Sequence, residues 1–466
     1  MSHPTLPLRS VGCLLAIASS LAGCVHYQAR PLAPDATLGA IDARRLDDPG
    51  LARAAAPANL VRSWPPDVWD LPALTAAALY FHPDLAVARA NWDVARAGLV
   101  TAGERPNPGV TPGAGRNAST PPGTITPWIL NLDFDFTLET AGKRGRRIDQ
   151  ARQLAASARY QVADAAWQVR AGVRQALLDL FAATETAALV ERQRTVVDAN
   201  LALLQRQLDA GEISAFQLSQ GRLQRDALRL AAADARSRGQ DARARLATAV
   251  GLPASALDGV RLGFEAFRQA PVTLPGDAAR VEALLNRPDL LAALSDYEAS
   301  QAALQLEIAK QYPDIHLGPG YQMDQDSHKW SLLFPLTLPV FSRNLGPIGE
   351  AEARRTLAAA RVEAVQARAI GDLDRALAAY RSALDTVAVA DQVVTEARRA
   401  QATAERQFAA GEISRLDLGI VQSDLLTREL ARLDAAVKAQ QALGDIENAM
   451  QRPADLPLSP LPGNQP

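Results

Sequence analysis

One segment occurs twice, 200 residues apart: Arg206-Gln207-Leu208-Asp209-Ala210-Gly211-Glu212-Ile213-Ser214 returns as Arg406-Gln407-Phe408-Ala409-Ala410-Gly411-Glu412-Ile413-Ser414. Self-similarity at a fixed period is the mark of a duplicated architecture, and it limits the fold to two copies of one plan. Two further pairs keep nearly the same offset. His82-Pro83-Asp84-Leu85 matches Arg287-Pro288-Asp289-Leu290, and Arg105-Pro106-Asn107-Pro108 is echoed by Lys310-Gln311-Tyr312-Pro313. The chain is therefore read as repeats over 73–276 and 277–452, preceded by a segment 24–72 rich in Pro, Ala, Asp and Arg, and followed by a tail 453–466. The preceding segment lacks a sustained period and reads as an extended tether.

Within the first repeat the patterning predicts a helix over 73–105, strands within 109–138, a very long helix over 147–209, a turn at 210–213 and a helix over 214–250. The second repeat predicts the same order over 277–312, 314–341, 349–409 and 414–451. Proline is missing from Trp128 to Leu252 and from Ile348 to Arg452. Interior proline costs a helix about 3 kcal/mol, so these stretches can hold long helices. Spacings such as Val169, Val173, Leu177, Leu180 and Leu426, Leu430, Leu433, Val437 are those of coiled-coil seams. At 1.5 Å per residue each long helix spans roughly 90 Å, and its two shorter partners roughly 50 and 55 Å. Two short helices stacked end to end beside the long one give a rod about 100 Å long, with the glycine turn at one tip and strands at the other.

In the strand from Ile129 to Leu138, Leu130, Leu132, Phe134, Phe136 and Leu138 face one way, and Asn131, Asp133, Asp135 and Thr137 the other. The second copy offers Trp330 to Phe341, interrupted by Pro335 and Pro339, with partner strands near 109–117 and 314–323. Alternation alone suits a soluble sheet as well as a membrane one. The amino end favours the membrane. A polar start with Arg9 and an apolar run from Val11 to Ala18 form a signal-peptide layout over 1–23, too short to cross a bilayer. Leu21-Ala22-Gly23-Cys24 resembles the bacterial lipobox, which implies cleavage before Cys24 and acylation there, palmitate included. Val25 is not the aspartate that retains lipoproteins at the inner membrane, so the outer membrane is expected. Cys13 leaves with the signal, and no disulfide is then possible. Four strands cannot close a barrel, and lipid tolerates no open edge, so several chains must share one barrel. Asn131, Asp133 and Asp135 would then line its watery lumen, with Trp128 and Trp330 at equivalent strand starts near the interface.

Lipobox, duplication, long helices with glycine turns and two strand pairs together resemble the TolC family of outer-membrane efflux proteins, over about residues 72–452. The resemblance implies a mainly α fold with a small transmembrane β part: a homotrimer with a twelve-stranded barrel and a periplasmic α-helical tunnel. It also implies partners, an inner-membrane RND-type transporter and a periplasmic adaptor. By resemblance the turns at Gly211, Glu212, Gly411 and Glu412 meet the adaptor. An acidic ring closes the tunnel in well-known members. Asp417 fits its first position, and Ile420 departs at the second, leaving one ring of three Asp417 carboxylates whose mutual repulsion would raise their pKa. Glu139-Thr140-Ala141-Gly142-Lys143-Arg144 resembles a stretch of the cobalt-zinc-cadmium branch, with Ala141 in place of a glycine. Lys143 and Arg144 would anchor near lipid head groups or pair with Glu139. Drug or protein export stays open.

Lys+Arg at 49 against Asp+Glu at 51 leaves no basic field for nucleic acid. No phosphate loop, Cys pair or His-Glu-x-x-His is present, so no catalysis, cofactor or resident metal is expected. His316, Met323 and His328 share one strand region and read as polar rim residues. The competing reading is a lipid-anchored coiled-coil scaffold or adaptor, which needs only one hairpin. The duplication argues against it.

Overall fold

The computed structural model describes residues 25–55, 65–119, 123, 125–269 and 276–453. The expected signal segment 1–23, Cys24 and most of the tail 453–466 lie outside them. The chain divides into two compact units, residues 1–44 and 45–466. The first holds α1 (Pro34–Asp42), which buries no side chain.

The second unit opens with α2 (Pro49–Ala55) and α3 (Leu71–Phe81). Here the expected extended tether is in part a piece of the core. Leu46, Leu51 and Trp69 are buried with Leu74 and Phe81 of α3, because removing such side chains from water stabilises by about 1.5–3 kcal/mol each. The helix expected over 73–105 is two helices, α3 and α4 (Pro83–Gly103). His82 is extended, with ψ at 127°, since the ring of Pro83 crowds a helical conformation at the residue before it. The second half repeats the break, with α8 (Asp277–Leu285) and α9 (Pro288–Ala309) on either side of Asn286 and Arg287.

Two very long helices follow the strands of each half: α5 (Lys143–Asp209), with α6 (Ala215–Val250) after its turn, and α10 (Leu345–Ala409), with α11 (Arg415–Met450). Between the halves runs a connector with a 3-10 turn (Ala254–Leu257) and the single turn α7 (Glu265–Arg268). The seams are narrow, as the spacing predicts: α5 buries Val169, Val173, Leu177 and Leu180, and α11 buries Leu426 and Val437. The short helices stack end to end along the long ones. Gly251 closes α6 at φ 84°, and a Cβ there would lie 3.0 Å from His82 Cα, where α4 begins. In the second half the guanidinium of Arg287 donates to the Ala449 carbonyl, joining α9 to the end of α11.

Side by side, the lower helices lie in the order α6, α5, α11, α10, and higher up α4 and α9 take the places of α6 and α11. The strands β1 (Gly109–Arg116), β2 (Trp128–Leu138), β3 (Ile315–Asp324) and β4 (Ser327–Leu333) form one antiparallel sheet in that order. β4 ends at Leu333 and does not reach Phe341. Pro335 and Pro339 have no N–H to continue a ladder. No helix among the described residues is long and apolar enough to cross a membrane.

Candidate functional site

The two tips are built alike. After α5, Gly211 sits at φ 75°, and after α10, Gly411 sits at φ 79°. A left-handed residue at this place lets the chain reverse while the last carbonyls find donors. Gly211 N donates to the Leu208 carbonyl at 2.9 Å and Glu212 N to Gln207 at 2.8 Å, with Gly411 and Glu412 making the same pair to Phe408 and Gln407. Glu212 and Glu412 are exposed. The fold brings the first tip against the start of α11: Arg206, Gln207 and Glu212 line a cleft of about 300 Å³ with Ser414, Arg415 and Leu416.

Each tip then starts its next helix with a capping box. In the first, the Ser214 N–H donates to Gln217 Oε1 at 2.9 Å. In the second, Asp417 takes that place. Its carboxylate accepts from Ser414 N at 3.0 Å and from Ser414 Oγ at 2.7 Å, while Asp417 N donates to Ser414 Oγ at 3.2 Å. The Ser414 hydroxyl and N–H hold this carboxyl below the usual carboxylate range. This lowering acts within one chain, whereas the rise expected from crowding arises between copies. Within the chain, the carboxylate expected as a gate is a helix cap, because serine and aspartate three residues apart satisfy each other's backbone.

The sheet has two unlike faces. In-register rows on one face are Thr111, Asp133, Gly320, Ser331 and Gly113, Asn131, Gln322, Lys329. Asn131 donates to Asp133 at 3.0 Å, and His316 Nδ1 lies 3.0 Å from Asp135. On the other face stand Leu130, Leu132, Phe136, Trp330 and Leu332, all exposed. Trp128 opens β2, whereas Trp330 lies three residues into β4. His316, Met323 and His328 do not converge. His316 is on the polar face, and Met323 and His328 pair on the apolar one, where the Tyr321 hydroxyl lies 2.6 Å from His328. Among the described residues no three candidate ligands come together for a metal.

Where β2 turns into α5, Ala141 and Gly142 are both left-handed, at φ 53° and 72°. Lys143 is buried, with its ammonium 2.7 Å from Asp314 and donating to the Tyr312 carbonyl. Arg144 donates to the Gly103 carbonyl at 2.7 Å. Glu139 pairs at 3.0 Å with Arg147, one turn further on, and not with Lys143 or Arg144. These residues lock the strands to the helices.

A second polar site, which no motif announces, lies deep between α5 and α11. Glu447 accepts from Arg170 at 3.1 Å and faces Arg174 at 3.2 Å. Arg174 also donates to the Gln440 carbonyl at 2.9 Å, and Gln440 donates to the connector at the Gln269 carbonyl, 3.0 Å away. Arg174, Gln440 and Glu447 are all buried. Burial pushes the Arg174 guanidinium down from its ordinary value, with Glu447 opposing.

Two helical hairpins joined to one two-faced sheet make up the second unit. The family model "outer membrane efflux protein" matches residues 74–252 and 279–450, and the chain belongs to that family. It is an outer-membrane efflux component, a non-enzymatic part of a transport system. The cobalt-zinc-cadmium resistance protein CzcC of Cupriavidus metallidurans is 24% identical over 328 residues, 68% of this chain and 76% of that one. The pyoverdine export outer membrane protein OpmQ of Pseudomonas putida is 27% identical over 353 residues, 70% of this chain and 73% of that one. Among solved structures, the outer membrane protein VceC of Vibrio cholerae shares the fold. Its TM-score is 0.67 at 20% identity, with 83% of this chain and 97% of that one covered.

Proposed function

We propose that three copies of this chain form the exit duct of a tripartite efflux pump, with an inner-membrane RND-type transporter and a periplasmic adaptor as partners. The observation that carries this is the sheet. It has four strands, an exposed apolar face, a polar face that includes Asp133 and Asp135 among small and hydrophilic residues, and, among the described residues, ladder partners for β1 and β4 on one side only. In lipid such edges must be paired, and further copies pair them by closing one barrel. Asn131, Asp133 and Asp135 then face the lumen, Cys24 carries the lipid anchor, and the tips at Gly211, Glu212, Gly411 and Glu412 meet the adaptor. Asp417 places a ring of fixed negative charge at the mouth.

The cargo we favour is heavy-metal cations. Acidic side chains flanked by glycines suit passage of cations without a resident site, and CzcC is a relative. A second reading, export of a siderophore, has the pyoverdine exporter OpmQ in its favour. Expression in a strain lacking its own duct separates them. Restored tolerance to cobalt, zinc or cadmium salts supports the first. Restored pyoverdine secretion without metal tolerance supports the second. Restoration of neither overturns the cargo assignment.

A further inference from the structure

The charged side chains of the sheet are sorted between its faces with one exception. Asp133, Asp135, Asp324 and Lys329 lie on the polar face, where the Lys329 ammonium is 2.5 Å from Asp324. Arg116 lies on the apolar face, as the cross-strand partner of Trp128. The ladder continues past it, since Asn117 N donates to the Pro127 carbonyl at 2.7 Å, so strand alternation places Arg116 with Leu130 and Leu132. No acidic side chain of the strands shares that face. His328 is there, 2.6 Å from the Tyr321 hydroxyl, and the Tyr321 and Trp330 rings are 4.8 Å apart.

Arg116, Trp128, His328 and Trp330 stand toward one end of the sheet, and the helices join the strands at the other, beside Gly109, Leu138, Ile315 and Leu333. From Leu130 to Leu138 the apolar run measures about 26 Å along the tilted strand at 3.3 Å per residue, which covers most of the lipid-facing band of a barrel. Arg116 and Trp128 fall just past its end, at the level of lipid head groups, where indoles concentrate. A guanidinium at mid-band is costly, but at this level it stays hydrated, and its planar fork matches two oxygens of a phosphate. With the helices in the periplasm, this end meets the outer leaflet, which in an outer membrane is phosphorylated glycolipid. We infer that Arg116 binds a phosphate of that glycolipid, with the Trp128 indole covering the lipid beside it. This rests on the reading of the sheet as part of a barrel with its apolar face in lipid.

The test is native mass spectrometry of the purified full-length protein in detergent with bisphosphorylated lipid A, the same lipid after phosphatase treatment, and inorganic phosphate. The parent should retain lipid A, while dephosphorylated lipid and free phosphate bind about fivefold or more weakly. Arg116→Gln should lose about fivefold in lipid A binding, and Arg116→Lys less, because an ammonium keeps the charge without the fork. Arg105→Gln, which removes an exposed cation on the helix side of β1, should bind like the parent. Equal binding by the parent and Arg116→Gln, equal loss in Arg105→Gln, indifference to removal of the phosphates, or free phosphate bound as tightly as lipid A overturns the site and leaves the barrel standing. In vesicles of brominated phosphatidylcholine the tryptophan fluorescence of the parent and of Arg116→Gln should be quenched alike, and that of Trp330→Phe less. Absence of quenching overturns the membrane reading itself.

Discussion

Arg174 and Glu447 form a buried ion pair in which each charge depends on the other. Both are buried, and Gln440 extends the pair to the connector between the halves. Removing one member of a buried pair leaves an uncompensated charge, which costs about 3–5 kcal/mol, while replacing both by apolar groups is often neutral. Glu447→Leu should therefore lower the thermal unfolding midpoint sharply, and Arg174→Met with Glu447→Leu should recover most of the loss. A double variant as unstable as the single one would mean that Arg170 or Gln440 depends on the pair. Gly411 is a second sensitive position. Its φ of 79° disfavours any residue with a Cβ, so Gly411→Ala should cost about 1 kcal/mol locally. Faster amide exchange around the second tip and weaker capture of a cognate adaptor are expected, with conductance unchanged.

At the scale of elements, the two tips close their capping boxes with different groups, an amide and a carboxylate, with a measurable consequence. Gln217 closes the first capping box and Asp417 the second. The pKa of Asp417 is held below its ordinary value by Ser414. The cap is therefore fully present above the ordinary carboxylate range and is lost as pH falls through the lowered value. Amide exchange, corrected for its intrinsic pH dependence, should show the first turn of α11 fraying below about pH 4, while the first turn of α6 keeps its protection. Ser414→Ala should abolish that difference.

Most elements were legible because their signals are local. Proline-free runs set the long helices, glycine set the turns, and strict alternation set β2. The breaks at His82 and Arg287 were legible too, since each precedes a proline inside a helical pattern, but periodicity across the junction outweighed that signal. Glu447 and Arg174 were not legible, because a charge at helical spacing looks the same on a solvated face as on a seam. Docking of Leu46 and Leu51 was hidden for the opposite reason: a few apolar residues without a period give no sign of the surface they will cover. Asp417 was legible as an exposed acid at the tip, but its capping partner lay in plain view at Ser414.

For the whole molecule, the two faces of the sheet have opposite requirements in a barrel, one meeting lipid and the other water. Leu132 and Asp133 are neighbours at mid-strand with side chains on opposite faces. Leu132 is level with Tyr321 across β3, and Asp133 with Gly320. If copies of the chain close one barrel, arginine at these two places has opposite consequences. A cation at mid-height on the lipid side costs about 2–4 kcal/mol, whereas one in a water-filled lumen stays hydrated and changes the field along the path. Leu132→Arg should accordingly impair assembly, read as less protein in the outer-membrane fraction and fewer three-chain particles in detergent. Asp133→Arg should assemble like the parent and shift the reversal potential in a salt gradient away from cation preference. If the faces are assigned the wrong way round, the two phenotypes exchange. If the sheet is not in a membrane at all, both variants assemble alike and no reversal potential can be measured. The pair of substitutions thus tests at once whether the sheet is in the membrane, which face is the lumen and whether its charge governs passage.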